Sequence, residues 1–230
     1  ARGLARGVFV KAAAERGADG TMTAPVTLHG YSRSIYAWAA LLALAEKGVA
    51  ADWVEANPFD AAGGSPLHPF GRVPVLVHGA AVIYETAAIC QYVDEAFAGP
   101  PLQPVDAWSR ARMRQIIAVA DAYAYWPMVR QVYAEKIYAR TEGRPPDAAL
   151  VRAGLKAARQ ALDALEGLAG PGLHLTGGAP GLADVLLYPM VAACARAPEG
   201  AALLAGRPRL HAWSRRMAER PSVLATSALV

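Results

Sequence analysis

Two places in this sequence put polar side chains where a helix begins. Tyr31, Ser32 and Ser34 follow the β-prone stretch Val26-Thr27-Leu28-His29 and its closing Gly30, just ahead of a helical run. Glu85 and Thr86 follow a second β-prone stretch, Ala81 to Tyr84, and open another helix. A helix N-terminus carries unpaired N–H groups and a partial positive charge, so both places favour an anionic group on a ligand. A hydroxyl there can donate a hydrogen bond to that anion, and Glu85 can hold a cation at hydrogen-bond range. The plain alternative is capping, since Ser34 and Thr86 both belong to the preferred N-cap types. Between the two lies His68-Pro69-Phe70-Gly71-Arg72-Val73-Pro74-Val75-Leu76. Pro74 sits at the entrance of a strand, where a missing ladder hydrogen bond is tolerated.

The elements that must position these residues follow from periodicity. Ile35, Trp38, Leu41, Leu42 and Ala45 recur at helical spacing, which predicts a helix to Lys47, with Gly48 where a C′ glycine belongs. Asp52–Glu55, Val73–Val77 and Ala81–Tyr84 read as further strands, with a turn at His78-Gly79-Ala80. A helix from Glu85-Thr86 to about Phe97 completes an order β-α-β-loop-β-β-α. Ala98-Gly99-Pro100-Pro101 breaks the pattern and marks a domain boundary. Everything after it reads helical: Asp106 to about Arg140 as one long helix or a pair, then Asp147–Leu168, Ala183–Ala197 and Pro208–Ala218. Gly181-Leu182-Ala183-Asp184 resembles a capping box without its hydroxyl half, a folding element. The expected fold class is α/β plus all-α, with domains at residues 23–98 and 104–226. Residues 1–22 are rich in Ala, Arg and Gly, lack a secretory apolar run, and read as a non-native or disordered extension.

Composition excludes several classes. At 54% apolar and 18% charged residues, the chain can bury a sizeable core and is not broadly disordered. No apolar run reaches membrane-spanning length. The net charge is +4, and no basic face with interleaved aromatics points to nucleic acid. Cys90 and Cys194 stand far apart, outside any C-x-x-C or zinc spacing, so neither dithiol chemistry nor a metal is expected and a reducing compartment fits.

The string His68 to Leu76, followed by Glu85-Thr86-Ala87-Ala88-Ile89-Cys90-Gln91-Tyr92, closely resembles the signature of cytosolic glutathione S-transferases, above all the serine-type phi, theta and zeta-like classes. The resemblance runs from about residue 24 to the C-terminus and includes Arg220-Pro221-Ser222-Val223. It implies a thioredoxin-like first domain, a helical second domain, a cytoplasmic homodimer, and glutathione as co-substrate. It also implies a cis Val73–Pro74 bond. By the same resemblance the Val73 backbone pairs with the cysteinyl unit of glutathione as an added strand would. Thr86 and Glu85 would hold the γ-glutamyl carboxylate and ammonium, and Arg72 would reach the glycyl carboxylate or stay solvated.

Catalysis in such a family requires lowering the thiol pKa from about 8.5, which a donated hydrogen bond can do. The serine-class spacing Gly30-x-x-x-Ser34 and a zeta-like pattern at Tyr31, Arg33, Ser34 and Trp38 converge on Ser34. Tyr31 and Ser32 are the alternatives. Tyr123, Tyr125, Trp126, Met128, Val129 and Tyr133 cluster on the first long helical segment. Among them Tyr123, Trp126 and Tyr133, with Arg130, are candidates for an apolar electrophile pocket, against plain interhelical packing. The expected reaction is conjugation of glutathione to an electrophilic apolar substrate. The alternatives are a zeta-type isomerase of a small acidic dienone, for which Arg130 would supply charge, and a non-catalytic binding module.

Overall fold

The computed structural model describes residues 24–60 and 63–227. The extension expected at residues 1–22 lies outside the described residues. The first layer is a four-stranded sheet of β1 (Val26–Gly30), β2 (Asp52–Glu55), β3 (Val75–His78) and β4 (Ala81–Tyr84), in the order β2-β1-β3-β4. β1 and β2 run parallel, with Leu28 beside Trp53, and so need the crossover helix α1 (Ile35–Glu46). β3 lies antiparallel to both β1 and β4, with Leu76 opposite Leu28 and Ile83. α2 (Thr86–Ala96) follows β4. Pro74 falls just outside β3, as its missing N–H requires, and His78 closes that strand instead of joining the turn.

α1 carries the logic of the interior. Its buried residues run Ile35, then Ala37 to Leu44 without a gap, so it is apolar all round. Such a helix must be covered on every side. It packs against α2 on one side and, on the other, against α6 (Leu182–Ala195) and α9 (Pro221–Thr226). The indole of Trp38 meets Tyr188 of α6 edge-on at 5.7 Å, and one hydrophobic core is shared by sheet and helices. Gly48 ends α1 with φ +67°, the left-handed conformation expected of a C′ glycine.

The long helix expected over Asp106–Arg140 is present but not uniform. It comprises α3 (Ala107–Val119), the wide turns π1 (Ala120–Ala124) and π2 (Trp126–Tyr138), and a last short turn α4 (Ala139–Thr141). Pro127 lies inside it, with no N–H to give and a ring that crowds the preceding turn. A widened turn accommodates both faults. α5 (Ala148–Leu168) starts where Asp147 caps the N–H groups of Ala149 and Leu150. α6 ends at Ala195, and the helices α7 (Pro198–Ala205) and α9 were not expected from periodicity. α8 (Pro208–Ala218) lies between them. Asp184 of α6 is fully buried and accepts from the N–H groups of Gly181 and Leu175 and from Trp213 Nε1. No helix among the described residues is long and apolar enough to cross a membrane.

Candidate active site

The loop from β1 to α1 is shaped by one close approach. A Cβ on Gly30 would come within 2.2 Å of the Trp53 ring, so only glycine lets the chain pass there. Trp53 Nε1 donates to Glu55 Oε2 at 2.9 Å, and Glu55 Oε1 accepts from both the N–H and the hydroxyl of Ser32. Ser32 is thereby held at the sheet edge and does not line the cleft beyond it. Ser34 does line it. Its N–H donates to the Tyr31 carbonyl at 2.7 Å, and its Oγ caps α1 by accepting from the Ala37 N–H at 3.1 Å. That cap occupies a lone pair and leaves the Ser34 proton free to donate. Tyr31 also lines the cleft, edge-on to Phe59.

The second junction is built on backbone geometry. Glu85 has φ +70° and is the N-cap of α2, the sole non-glycine residue with positive φ among those described. Such a conformation in a side-chain-bearing residue clusters at functional sites. It makes Glu85, not Thr86, the N-cap. Thr86 is the first helical residue, largely buried, with its neighbour's carboxylate 66% exposed toward the cleft mouth. His68 Nδ1 accepts from the Phe70 N–H, so its Nε2 carries the proton and faces Glu85 Oε1 at 3.7 Å. Val73–Pro74 is cis, and the Val73 N–H and C=O have no hydrogen-bond partner among the described residues. Arg72 borders the same space with its guanidinium exposed.

Across from these, the wide helix supplies the other wall of a cleft of about 740 Å³. Trp126, Arg130 and Tyr133 line it, while Tyr123 is 67% exposed elsewhere and Met128 is buried in the core. Asp121, Tyr125 and Tyr138 line it as well, together with Tyr36 from α1 and Phe59 from the loop after β2. The Tyr36 hydroxyl donates to Asp121 Oδ1 at 3.2 Å, and its ring lies 4.7 Å from that of Tyr125. Partial burial of the otherwise solvent-reached Asp121 raises its pKa above the usual carboxylate range; the Tyr36 hydrogen bond works against this, and the charge of Glu85 adds to it. Burial likewise pushes the Tyr36 phenol up, with the Asp121 charge assisting, so Tyr36 stays protonated at neutral pH. Both cysteines are buried away from the cleft, and burial raises the Cys194 thiol to about 12, so neither supplies a thiolate. Among the described residues no three His, Cys, Asp or Glu side chains gather as a metal site.

A family model of the glutathione S-transferase N-terminal domain matches residues 28–101, and one of the glutathione S-transferase C-terminal domain matches residues 147–216. Glutathione S-transferase 4 of Zea mays is 29% identical over 212 residues, covering 87% of this chain and 91% of its own length. Glutathione S-transferase 1 of Dianthus caryophyllus is 31% identical over 177 residues, covering 74% and 78% respectively. The structure of glutathione S-transferase I from maize, in complex with an atrazine–glutathione conjugate, matches with a TM-score of 0.78 at 26% identity, covering 90% of this chain and 98% of that one.

Proposed function

The chain belongs to the glutathione S-transferase family, with its thioredoxin-like sheet domain and helical domain, and from that premise we propose that Ser34 activates the glutathione thiol for attack on electrophilic apolar substrates. The observation that carries this reading is the double use of Ser34. Its oxygen caps α1 while its proton remains free at the cleft. A hydroxyl so placed donates to the thiolate, and the α1 N-terminus adds favourable potential. The sulfur electron pair then forms the new S–C bond, and a leaving group such as halide departs with its own pair. Thr86 and Glu85 hold the γ-glutamyl carboxylate and ammonium. The unpartnered Val73 backbone takes the cysteinyl unit, and Arg72 reaches the glycyl carboxylate. Tyr31 is the second candidate donor; Ser32, tied to Glu55, is not. The transferase relatives lend no support to the isomerase or to the non-catalytic module. A homodimer belongs to the same proposal, supported by Phe70, an apolar ring 75% exposed on the loop before β3.

The test pairs glutathione calorimetry with the conjugation rate of 1-chloro-2,4-dinitrobenzene, for wild type, Ser34→Ala and Ser34→Asp. Ser34→Ala should bind glutathione and lose about tenfold or more in rate. Aspartate keeps the cap but has no proton to give, so Ser34→Asp should lose rate without the roughly 1 kcal/mol cap penalty of alanine. Undiminished rates in both variants would transfer the role to Tyr31.

A further inference from the structure

The electrophile end of the cleft carries more positive charge than an apolar substrate needs. Arg33 and Arg130 both line it and are both exposed. Neither has a carboxylate within ion-pair distance among the described residues, where the arginine–acid pairs are those of Arg144, Arg207 and Arg220. Each is held by an aromatic face instead. The Arg33 guanidinium carbon stands 5.2 Å from the Tyr138 ring centre, and that of Arg130 stands 5.7 Å from the Phe59 ring centre. A guanidinium stacked on a ring keeps its N–H edge free for a bidentate acceptor.

Behind them a hydrogen-bond chain runs from Arg196 through Tyr133 to Tyr138. Arg196 Nη1 lies 2.8 Å from Tyr133 Oη, which lies 3.1 Å from Tyr138 Oη. Arginine can only donate. Tyr133 accepts from Arg196 and donates to the Tyr138 oxygen, which leaves the Tyr138 proton to be given away. Arg196 also stacks on the Tyr133 ring at 5.3 Å, which holds the chain in place. The region thus offers the Arg33 fork, the Arg130 fork and the Tyr138 hydroxyl as donors, while the Glu135 carboxylate that feels the Arg130 charge is committed to Arg144 and the Asp147 N–H. The cleft's acids are segregated from it. Asp121 is bonded to Tyr36 and feels the charge of Glu85, while Tyr138 feels Arg33 and Arg196.

The geometry points to an aromatic electrophile that bears a carboxylate, its ring against Trp126 and Phe59 and its anion on Arg33, Arg130 and the Tyr138 hydroxyl. This rests on the transferase reading above and narrows its electrophile to one whose apolar ring also carries an anion. A neutral apolar electrophile would leave the free guanidinium edges and the oriented hydroxyl unmatched. An aromatic carboxylate matches all of them.

The experiment measures binding, so that it does not depend on turnover. Full-length protein is saturated with S-methylglutathione, which fills the glutathione subsite including its glycyl carboxylate. It is then titrated by calorimetry with 3,5-dinitrobenzoate and, separately, with the neutral 3,5-dinitrobenzamide. Wild type should bind the carboxylate at least about tenfold more tightly than the amide, as a charge-assisted pair would give. That ratio should shrink with added salt. In Arg33→Gln and in Tyr138→Phe it should fall toward one. A wild-type ratio near one overturns the proposal without any variant, and so does a ratio that survives both substitutions. If Arg33→Gln instead weakens S-methylglutathione, Arg33 serves the peptide and the proposal fails. If wild type takes no S-methylglutathione at all, the glutathione reading fails. The two dinitrobenzene ligands titrated alone still decide the anion subsite.

Discussion

The two walls of the cleft are built on different principles. The sheet-side wall presents backbone and short side chains held at element junctions: the capping Ser34, the unpartnered Val73 amide beside the cis proline, and Glu85 fixed at φ +70° before Thr86. The helical wall presents long side chains from the wide helix, with Trp126 60% exposed and Arg130 stacked across the cleft on Phe59. A wall made of backbone offers the same atoms whatever lies opposite, because changing those atoms means changing the fold. A wall made of projecting side chains can be rewritten one residue at a time at little structural cost. On the proposed reading the common co-substrate uses the first wall and the variable electrophile chiefly the second, with Arg33 and Phe59 reaching to it from the sheet side.

The largest expected effect tests whether the sheet-side wall serves glutathione alone. On the proposed binding mode, Thr86→Val and Glu85→Gln each remove one charge-assisted contact to the γ-glutamyl end. Each should raise the glutathione Kd by about tenfold to a hundredfold. The loss should be the same for every electrophile supplied. A loss that changes with the electrophile would break the division between the walls. Next in size is the latch that keeps the walls in register. Glu46 of α1 accepts from the Arg220 guanidinium and from the Ser222 hydroxyl at α9, and Trp38 Nε1 donates to Thr226 at 2.9 Å. Burial alone would raise the Glu46 pKa, but the Arg220 and Ser222 hydrogen bonds outweigh it and hold it below the usual carboxylate range. A depressed pKa contributes stability that is present above the unfolded value of 4.5 and lost as pH falls through the folded one. Glu46→Gln should cost about 2 kcal/mol in denaturant unfolding at pH 7. The variant and wild type should converge as the pH drops below about 4.5.

How far the sequence can be read follows the same division. Strands and helices with a sustained period were legible from the residues alone, whereas the sheet-side wall was read through the family resemblance of His68–Leu76 and Glu85-Thr86; periodicity alone leaves Pro74 as an ordinary strand-edge proline. α7 and α9 were not legible, since each is short and begins at a proline, Pro198 and Pro221, that reads equally well as a break. The helical wall was legible only as an aromatic cluster. Which members face the cleft depends on the turn width, and Pro127 changes it. Asp121, Trp126, Arg130, Ala134 and Tyr138 all line the cleft at intervals of four or five residues, which a 3.6-residue period does not keep on one face. That is why Tyr123 falls outside while Asp121 and Tyr138 face inward. Tyr36 was missed for another reason: it lies on a helix that reads as core throughout.

The smallest expected effect concerns a carboxylate whose hydrogen bond crosses the division. Asp121 comes from the helical wall, yet its carboxylate accepts from Tyr36 on α1 and feels the charge of Glu85. Its pKa is raised in the folded protein, so the fold binds this proton more tightly than the unfolded chain does. The stability it contributes is full below the unfolded value of 3.8 and is lost as pH rises through the folded value. Asp121→Asn keeps an oxygen for Tyr36 and removes the titration. The variant's melting temperature should therefore gain on wild type between about pH 4 and pH 7, by no more than about 2 °C at so accessible a group. On the proposed binding mode, saturating glutathione adds an ammonium beside Glu85, cancels part of that residue's charge, and should lower the Asp121 pKa. The gap between Asp121→Asn and wild type should then shrink. A gap that glutathione leaves unchanged would mean that the two walls share Tyr36 but not their electrostatics, and the division between them would be sharper than the Tyr36–Asp121 hydrogen bond suggests.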